Sequence, residues 1–296
     1  MGAPVKIPCS VVVLTLNEQC NIRPCLESLA AMDDVHVLDS GFVDGTCDIA
    51  RQWGAKVATN AFRSFGDQRN WAHDHLALNH DWVLHLDADE RLTDALAEEI
   101  RLAIAADNGS LAGWLIPEMT LLNGRWLRHA AQYPRYQARL SHRHRMRFVD
   151  HGHGQRESSN LPFAYMQSAY EHWAFSHGIE HWLRKHATYA MQEARQVFEE
   201  KQSLVALIAG VFAREPVTRR RALKRLALRL PMRPTLRWLH VMGSGAWRDG
   251  AAGLQYARMM RTFQQMIDVC MDDLRRQATP GLMAASASPT RSGSSP

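Results

Sequence analysis

The sharpest chemical feature of the sequence is a pair of aspartates two residues apart. Asp87 and Asp89 follow Trp82–Leu86, an apolar run that predicts a buried β-strand. Side chains at i and i+2 of an extended backbone point the same way, so two carboxylates would meet at this strand end. Such hard oxygen ligands suit Mg²⁺ or Mn²⁺, which would neutralise a diphosphate. The alternative to a metal site is a solvated acidic turn, whose negative charges would stabilise the N-terminus of the next helix.

Two further strand ends carry polar side chains. Thr15, Asn17 and Glu18 stand at the end of the first apolar run, and Asp39 ends the second, ahead of Asp44 in a glycine-containing turn. An ordinary turn with a helix cap is the simpler local interpretation of the second end. In open α/β sheets, however, ligands bind at the carboxyl edge, so three polar ends meeting there predict a nucleotide-sized site. Neither G-x-G-x-x-G nor a P-loop lysine motif occurs, which excludes a dinucleotide or ATPase site.

Strand–helix alternation over the first hundred residues would position these groups. Short β-branched runs alternate with amphipathic helical patterns, which implies a parallel sheet with helices on both faces. Short strands follow Gly113, and from about Glu171 the pattern is mostly helical. We therefore predict an α/β fold with a Rossmann-like, mostly parallel sheet and a mainly helical C-terminal region. The predicted domains are 1–165, 166–277 and a disordered tail, 278–296, rich in Ala, Ser, Pro, Gly and Thr.

Composition bounds the class of protein. The 296 residues carry a net charge of +5, but residues 1–110 hold 8 Lys/Arg against 17 Asp/Glu, so the remainder is strongly basic. None of the 5 cysteines is in a C-x-x-C pair, which argues against a zinc or redox motif. The N-terminus has no signal-peptide pattern. The longest apolar run, Leu204–Ala213, is half of the ~20 residues that span a bilayer, so we expect a cytoplasmic protein.

Ordered motifs along about 250 residues resemble family-2 glycosyltransferases of bacteria, with the lipopolysaccharide-core and exopolysaccharide glucosyltransferases as the nearest subgroup. The motifs are Thr15-x-Asn17-Glu18, Val37-Leu38-Asp39-Ser40-Gly41-x-x-Asp44-Gly45-Thr46, Phe65-Gly66-x-Gln68-Arg69-Asn70, Leu86-Asp87-Ala88-Asp89-Glu90, Gly124-Arg125-Trp126-Leu127-Arg128, Tyr133-Pro134-Arg135-Tyr136-Gln137-x-Arg139-Leu140, His151-Gly152-His153-Gly154-Gln155-Arg156-Glu157 and Trp247-Arg248-Asp249-Gly250. One departure is Phe42-Val43, where the family commonly has small polar residues.

The resemblance implies a GT-A fold that binds a UDP-type sugar donor. In matching positions, Thr15, Glu18 and Asp39 would contact the nucleoside, with Asn17 and Asp44 in the same motifs. Arg69 would lie near the diphosphate. The metal would be held by Asp87 and Asp89. The acceptor would be a lipid-linked saccharide or polysaccharide of the cell envelope.

An inverting transfer needs a base that deprotonates the acceptor hydroxyl. Family-2 enzymes place a carboxylate for this after the metal motif, and Asp150 and Glu157 flank the His-Gly-His-Gly segment here. We favour Glu157 over Asp150. The alternative is that Glu157 pairs with Arg156 or Arg147 and is structural.

A basic segment suggests where the enzyme works. Arg214–Arg237 holds nine basic residues and one acidic residue, with leucines between them. Such a segment would attract anionic lipid headgroups, although a solvated basic face is equally consistent. We expect a peripheral enzyme on the inner face of the inner membrane.

Two other classes of protein fit the sequence less well. A metal-dependent nucleotidyltransferase usually needs a glycine-rich first loop with Arg or Lys, which is absent here. A non-catalytic module that binds RNA or membrane would not need three polar strand ends, and no aromatic RNA-binding motif occurs, so no nucleic-acid partner is expected.

Overall fold

The chain forms two compact units, residues 1–177 and 178–296, in a computed structural model. The structure describes residues 6–41, 43–151, 154–199, 204–215 and 232–278, and a few positions between 218 and 226. The predicted domain boundary after residue 165 falls between two strands of the first unit. The domain assignment itself remains a prediction.

The first unit alternates strands and helices and then continues in strands. Its helices are α1 (Ile22–Ser28), α2 (Thr46–Gln52), α3 (Phe65–His75) and α4 (Asp94–Ala105). Its strands are β1 (Ile7–Thr15), β2 (Met32–Asp39), β3 (Lys56–Thr59), β4 (Trp82–Asp87), β5 (Glu90–Arg91), β6 (Gly113–Leu122), β7 (Arg125–Trp126), β8 (Tyr136–His142), β9 (Arg147–His151), β10 (Gly154–Ser158), β11 (Phe163–Tyr165) and β12 (Tyr170–His172).

The main sheet has the strand order β3-β2-β1-β4-β8-β6-β12-β5. β3, β2, β1 and β4 run parallel, β8 is antiparallel to both β4 and β6, and β12 is again parallel to β6. The predicted mostly parallel α/β sheet is thereby confirmed, with β8 as its antiparallel insertion. The chain steps outward from β1 to β3 and returns to the other side of β1 for β4. The carboxyl ends of β1 and β4 therefore form a topological switch point, the usual place for a ligand.

Alternating residues of β1 explain why both faces of the sheet are covered. Val11 and Val13 are fully buried in a cluster with side chains of α1, α2 and α4. Val12 points the other way and packs in a second cluster with Ala72 of α3. Both side-chain sets are apolar because each face of a parallel sheet carries helices. The prediction of helices on both faces is confirmed.

Two polar residues precede helices of the first unit, but only one of them caps its helix by a side-chain hydrogen bond. Thr93 caps α4, since its Oγ1 accepts a hydrogen bond from the Leu96 amide at 3.2 Å. Asn21 precedes α1, but its side chain makes no capping bond. Its Nδ2 donates to the Glu18 carboxylate at 2.6 Å instead, which ties it to the loop after β1.

The second unit is helical, as predicted. It contains α5 (Gly178–Glu199), α6 (Leu204–Val211), α7 (Arg233–Gly243), a 3₁₀ turn (Ala246–Asp249) and α8 (Gly250–Ala278). Ala190 and Ala194 of α5 pack against Ile267 of α8. No helix among the described residues is both long enough and apolar enough to cross a membrane. Residues 279–296 of the predicted tail and much of the basic segment Arg214–Arg237 lie outside the described residues.

Candidate functional site

The ends of β1 and β2 are joined by a buried carboxylate. Thr15 lies opposite Asp39 in the parallel register, and its Oγ1 donates to Asp39 Oδ2 at 2.8 Å. The Gly41 amide donates to Asp39 Oδ1, also at 2.8 Å. Gly41 has a φ of +119°, which a side chain would strain. Asp39 is fully buried, and its two hydrogen bonds fix the turn at this end of the sheet. The family resemblance implies that the nucleoside would bind here, which remains a prediction.

Asn17 and Asp44 fasten the loops that follow β1 and β2 to each other. Asn17 has a φ of +58°, and its Oδ1 accepts a hydrogen bond from the Val43 amide at 3.0 Å. Asp44 accepts from the Gln19 amide at 3.2 Å and from the amide of Thr46 at 3.0 Å. Slight burial raises the pKa of Asp44, but the Thr46 and backbone hydrogen bonds outweigh it and lower that pKa. Both residues shape the site, and their contact with a ligand remains a prediction.

Glu18 reaches the last residue of the first unit. Its Oε2 lies 2.9 Å from His177 Nε2 and accepts from Asn21, while its amide donates to Thr46 Oγ1 at 2.9 Å. The carboxylate is half-buried at the end of β1. The structure thus places Glu18 in the loop after β1, in contact with Asn21, Thr46 and an imidazole that the sequence did not indicate.

Asp87 and Asp89 lie at the end of β4, beside the end of β1. Asp87 pairs in register with Leu14, so the third polar strand end joins the first two. Asp87 and Asp89 are partly exposed, whereas Ala88 and Glu90 between and after them are buried. This alternation is the one that the i, i+2 spacing predicts. The three polar strand ends therefore meet at one edge of the sheet.

Two buried arginines hold Asp87. Arg69 Nη2 lies 3.2 Å from Asp87 Oδ1, and Arg139 Nη2 lies 2.9 Å from Asp87 Oδ2. Burial raises the pKa of Asp87, but the two guanidinium groups outweigh it and bring that pKa to about 2. Arg139 also contacts Glu90 Oε1, and the Asp87 amide donates to Glu90 Oε2 at 2.9 Å. Burial raises the pKa of Glu90 to about 8 although Arg139 opposes it.

Asp89 contacts a histidine instead. His172 Nε2 lies 3.3 Å from Asp89 Oδ2, and His172 Nδ1 lies 2.8 Å from Glu118 Oε1. Burial lowers the pKa of His172, but the hydrogen bonds to Asp89 and Glu118 outweigh it and raise that pKa well above the ordinary value. Glu118 is itself fixed by hydrogen bonds from Thr120 Oγ1 at 2.7 Å and Arg135 Nη2 at 2.7 Å. His172 therefore places a positive charge against Asp89.

The residues at this edge fit a divalent metal held jointly with a ligand. Among the residues that the structure describes, no group of three or more His, Cys, Asp and Glu side chains is arranged to hold a metal by itself. Mg²⁺ is ordinarily bound by one or two carboxylates together with substrate phosphates. Asp87 and Asp89 can supply the two carboxylates. The donor set thus suits Mg²⁺ or Mn²⁺.

Three consecutive residues of α3 tie this helix to three different parts of the sheet. Gln68 Nε2 donates to Ser40 Oγ at 2.9 Å, after β2. Arg69 reaches Asp87 at the end of β4. Asn70 donates to the Phe148 carbonyl at 2.7 Å and accepts from its amide at 3.0 Å, on β9. The Gln68-Arg69-Asn70 motif thereby aligns the edge of the sheet with the β9–β10 hairpin.

The β9–β10 hairpin carries both candidate bases. Glu157 of β10 lines a cavity of about 400 Å³ together with Arg69 and Asp87. It makes no ion pair with Arg147 or Arg156 in the described part of the chain, and Arg147 instead pairs with Asp74 at 2.6 Å. Asp150 of β9 is exposed and does not line that cavity, and its Oδ1 lies 2.8 Å from the position that a Cβ at Gly66 would occupy. The geometry favours Glu157, and the role of either carboxylate remains a prediction.

Sequence reasoning missed the charged partners of the two aspartates. Arg139 and Glu90 both occur in the motifs quoted above, but the sequence assigns neither of them a contact with Asp87. His172 and Glu118 come from β12 and β6 and had no role at all. The available indication was the position of Glu118 and Arg139 within apolar strands, since charged side chains there are buried only when paired.

A model of glycosyl transferase family 2 matches residues 10–166 of the chain. The lipopolysaccharide core biosynthesis glycosyltransferase LpsC of Rhizobium meliloti is 29% identical over 124 residues, which are 40% of this chain and 45% of that protein. An uncharacterized glycosyltransferase of Rickettsia felis is 37% identical over 100 residues, which are 33% of this chain and 35% of that protein. The aligned segments thus span less than half of these relatives.

Two solved structures are also similar. Staphylococcus aureus TarS 1–349 has 16% identity and a TM-score of 0.41, with 93% of each chain covered. Glucosyl-3-phosphoglycerate synthase from Mycobacterium tuberculosis, in complex with phosphoglyceric acid, has 21% identity and a TM-score of 0.32, covering 40% of this chain and 45% of that one.

The family match covers more than half of the chain and includes every strand end described above. It also includes α3 and the hairpin that carries Glu157. The prediction of a glycosyltransferase is thereby confirmed, and the nucleotidyltransferase and the non-catalytic module are set aside. The chain belongs to glycosyl transferase family 2.

Proposed function

We propose that the chain transfers a sugar, with inversion, from a UDP-sugar to a lipid-linked or polysaccharide acceptor in cell-envelope glycan synthesis. The observation that carries this proposal is the cavity that joins Asp87 and Arg69 with Glu157. In this one cavity, Asp87 and Arg69 could bind the sugar donor, and the carboxylate of Glu157 could contact the acceptor. The name of LpsC, a lipopolysaccharide core enzyme, supports the choice of acceptor.

The donor end of the site would bind the nucleotide. Asp87 and Asp89 would hold Mg²⁺ or Mn²⁺, which when bound neutralises the charge of the diphosphate. Arg139 and Arg69 bring the pKa of Asp87 to about 2, so its carboxylate is charged at physiological pH. Thr15, Glu18 and Asp39 would orient the nucleoside at the neighbouring strand ends.

The acceptor end would provide the base. Glu157 takes the proton of the acceptor hydroxyl as its oxygen forms a bond to the anomeric carbon. The bond between the anomeric carbon and the phosphate oxygen breaks, and its electron pair leaves on the diphosphate. Attack on the face opposite the leaving group inverts the anomeric configuration.

Release of UDP from UDP-glucose by the purified protein tests this proposal. We expect release that EDTA abolishes and Mg²⁺ or Mn²⁺ restores. The variant Glu157→Gln should lose ~10²–10⁴-fold in rate while it still binds UDP, because only the base is removed. Asp150→Asn, on the paired strand, is the matched control and should keep its activity. The reverse order of the two variants would make Asp150 the base, and activity in excess EDTA would exclude the metal.

Peripheral attachment to the inner membrane is a second part of the proposal. Its support is the basic composition of Arg214–Arg237, where each Lys or Arg near an anionic surface contributes ~1 kcal/mol. We expect the protein to float with phosphatidylglycerol vesicles at low salt and to detach near 1 M salt, where the Debye length is ~3 Å. Equal binding to neutral and anionic vesicles would contradict an electrostatic attachment.

A further inference from the structure

Most of the residues that line the cavity beside Glu157 are uncharged, and together they are called its neutral wall. Besides Asp87, Arg69 and Glu157 the cavity is lined by two aromatic rings and two amides, together with one alanine. These are Phe65, Tyr136, Gln137, Gln155 and Ala138. Rings and amides without charge suit a neutral, hydroxyl-bearing ligand better than a diphosphate. This wall therefore differs in chemistry from the donor edge.

Gln155 presents an unused acceptor on this wall. Its Oε1 is buried and has no hydrogen-bond partner in the described part of the chain. Buried polar atoms in folded proteins are nearly always paired, so such an atom indicates a missing donor. Gln155 and Glu157 are two residues apart on β10 and thus project from the same face of the hairpin. A hydroxyl that donates to Gln155 would therefore lie beside the carboxylate of Glu157.

Each of the two aromatic rings that line the cavity is packed edge-on against a second ring. Phe65 is 44% exposed although it begins α3, and Phe62 stands edge-on to it with ring centroids 5.1 Å apart and is 47% exposed. Tyr136 is held edge-on by Tyr165, with centroids 4.9 Å apart. Fixed rings with an open flank offer apolar surface at little cost in side-chain entropy. The apolar C–H face of a pyranose ring has the matching shape and chemistry.

We propose that Gln155, Phe65 and Tyr136 form the acceptor subsite and bind a hexopyranose unit of the acceptor. Phe65 and Tyr136 contact the C–H face of the ring, and Gln155 accepts a hydrogen bond from one of its hydroxyls. That contact directs a neighbouring hydroxyl to Glu157. The subsite rests on the proposed function, since it assumes that Glu157 faces the acceptor.

Saturation-transfer NMR with methyl glycosides of glucose, galactose, mannose and N-acetylglucosamine tests the subsite. The protein is saturated with UDP and Mg²⁺, and UDP affinity is measured separately by calorimetry. We expect transfer to the ring C–H protons of at least one glycoside in the wild-type protein. Gln155→Leu and Phe65→Ala should each weaken its binding about tenfold, with UDP affinity unchanged. Gln167→Leu, an exposed glutamine outside the cavity, is the matched control and should bind normally.

The outcomes separate the subsite from the proposed function. The subsite is overturned if no glycoside receives transfer, or if transfer is equal in the wild type, Gln155→Leu and Phe65→Ala. If UDP still binds in that case, the proposed donor site is not contradicted. A wild-type protein that does not bind UDP overturns the proposed function and the subsite together. Both substituted side chains are partly exposed, so we expect both variants to fold. Unchanged UDP affinity confirms that they are folded.

Discussion

At the scale of single residues, Asp39 is a buried carboxylate that the proposed function assigns to nucleoside binding. Both of its oxygens are already bound, to Thr15 Oγ1 and to the Gly41 amide. In Asp39→Asn, the side-chain oxygen can still accept from the Gly41 amide and the NH₂ group can donate to Thr15 Oγ1, so the main change is the loss of the negative charge proposed to bind the nucleoside. We expect UDP affinity to fall by ~1–3 kcal/mol, the scale for a charged hydrogen-bond partner. Isothermal titration calorimetry measures this directly.

Thr15→Val is the control for that prediction. It removes one donor to Asp39 while it keeps the carboxylate and nearly the same volume at the end of β1. We expect a loss of ~1 kcal/mol in the free energy of unfolding and a smaller effect on UDP affinity than that of Asp39→Asn. An unchanged dissociation constant for UDP in Asp39→Asn would contradict a role in nucleoside binding.

Single residues also show what the sequence can and cannot predict about the site. Asp39 and Asp87 end apolar strands, and because parallel strands share one edge, their convergence followed from local pattern alone. Arg139 and His172 could not be placed in this way. They lie 52 and 83 residues beyond the aspartates they contact, on strands whose pairing depends on the whole fold. Local periodicity contains no information on such long-range partners.

At the scale of elements, α3 is the part that links the donor edge to the hairpin of Glu157. Asn70 holds both backbone groups of Phe148, so β9 is fixed to α3 by two hydrogen bonds from a single side chain. Asn70→Ala should leave nucleotide affinity nearly unchanged but lower the rate of transfer, since Glu157 would lose its fixed position. The expected loss in rate is ~10²-fold, the scale for a misplaced catalytic group.

Steady-state kinetics with UDP-glucose check this prediction, with the KM for the donor as an internal control. Asn70→Asp is the informative second variant, because it keeps the acceptor for the Phe148 amide but sets a carboxylate oxygen against the Phe148 carbonyl oxygen. We expect its loss in rate to be at least as large as that of Asn70→Ala. A rise in the donor KM with no change in kcat would show that Asn70 supports the nucleotide site and not the hairpin.

The elements themselves were predicted unevenly. β1, β2 and β4 were recognised because they are runs of apolar, β-branched residues buried on both faces. The β9–β10 hairpin was recognised only in part, since its sequence is polar and Val149 in its centre is exposed. It is held by backbone pairing and by Asn70, neither of which shows in a hydrophobic pattern. The functional role of this segment is predicted from the family resemblance of its motif and not from periodicity.

At the scale of the whole molecule, stability should depend on pH through a buried pair of histidines. His73 of α3 and His85 of β4 face each other with their Nε2 atoms 2.8 Å apart, in contact with the ring of Phe148. Burial lowers the pKa of His73 to about 3 and that of His85 well below its ordinary value, so both are neutral in the folded protein. In the unfolded chain they would titrate near ~6.5.

The sign of the effect follows from proton binding. Above pH ~6.5 both histidines are neutral in the folded and unfolded states, and the pair adds no pH dependence. Between that pH and the lowered pKa of the folded state, the unfolded chain binds more protons, so the protein loses stability as the pH falls. Each histidine contributes a slope of up to ~1.4 kcal/mol per pH unit. Urea unfolding at pH 7 and pH 5 should therefore show a clear loss at the lower pH.

A double variant isolates the pair from the other titrating groups. His73→Leu with His85→Phe replaces both rings by apolar side chains, so its free energy of unfolding should fall less steeply with decreasing pH than that of the wild type. His144→Gln, at a largely exposed histidine, should keep the wild-type slope. The comparison uses the change in stability between the two pH values, so a constant packing cost in the double variant cancels. Equal slopes in the wild type and the double variant would mean that the buried pair is not neutral in the folded protein.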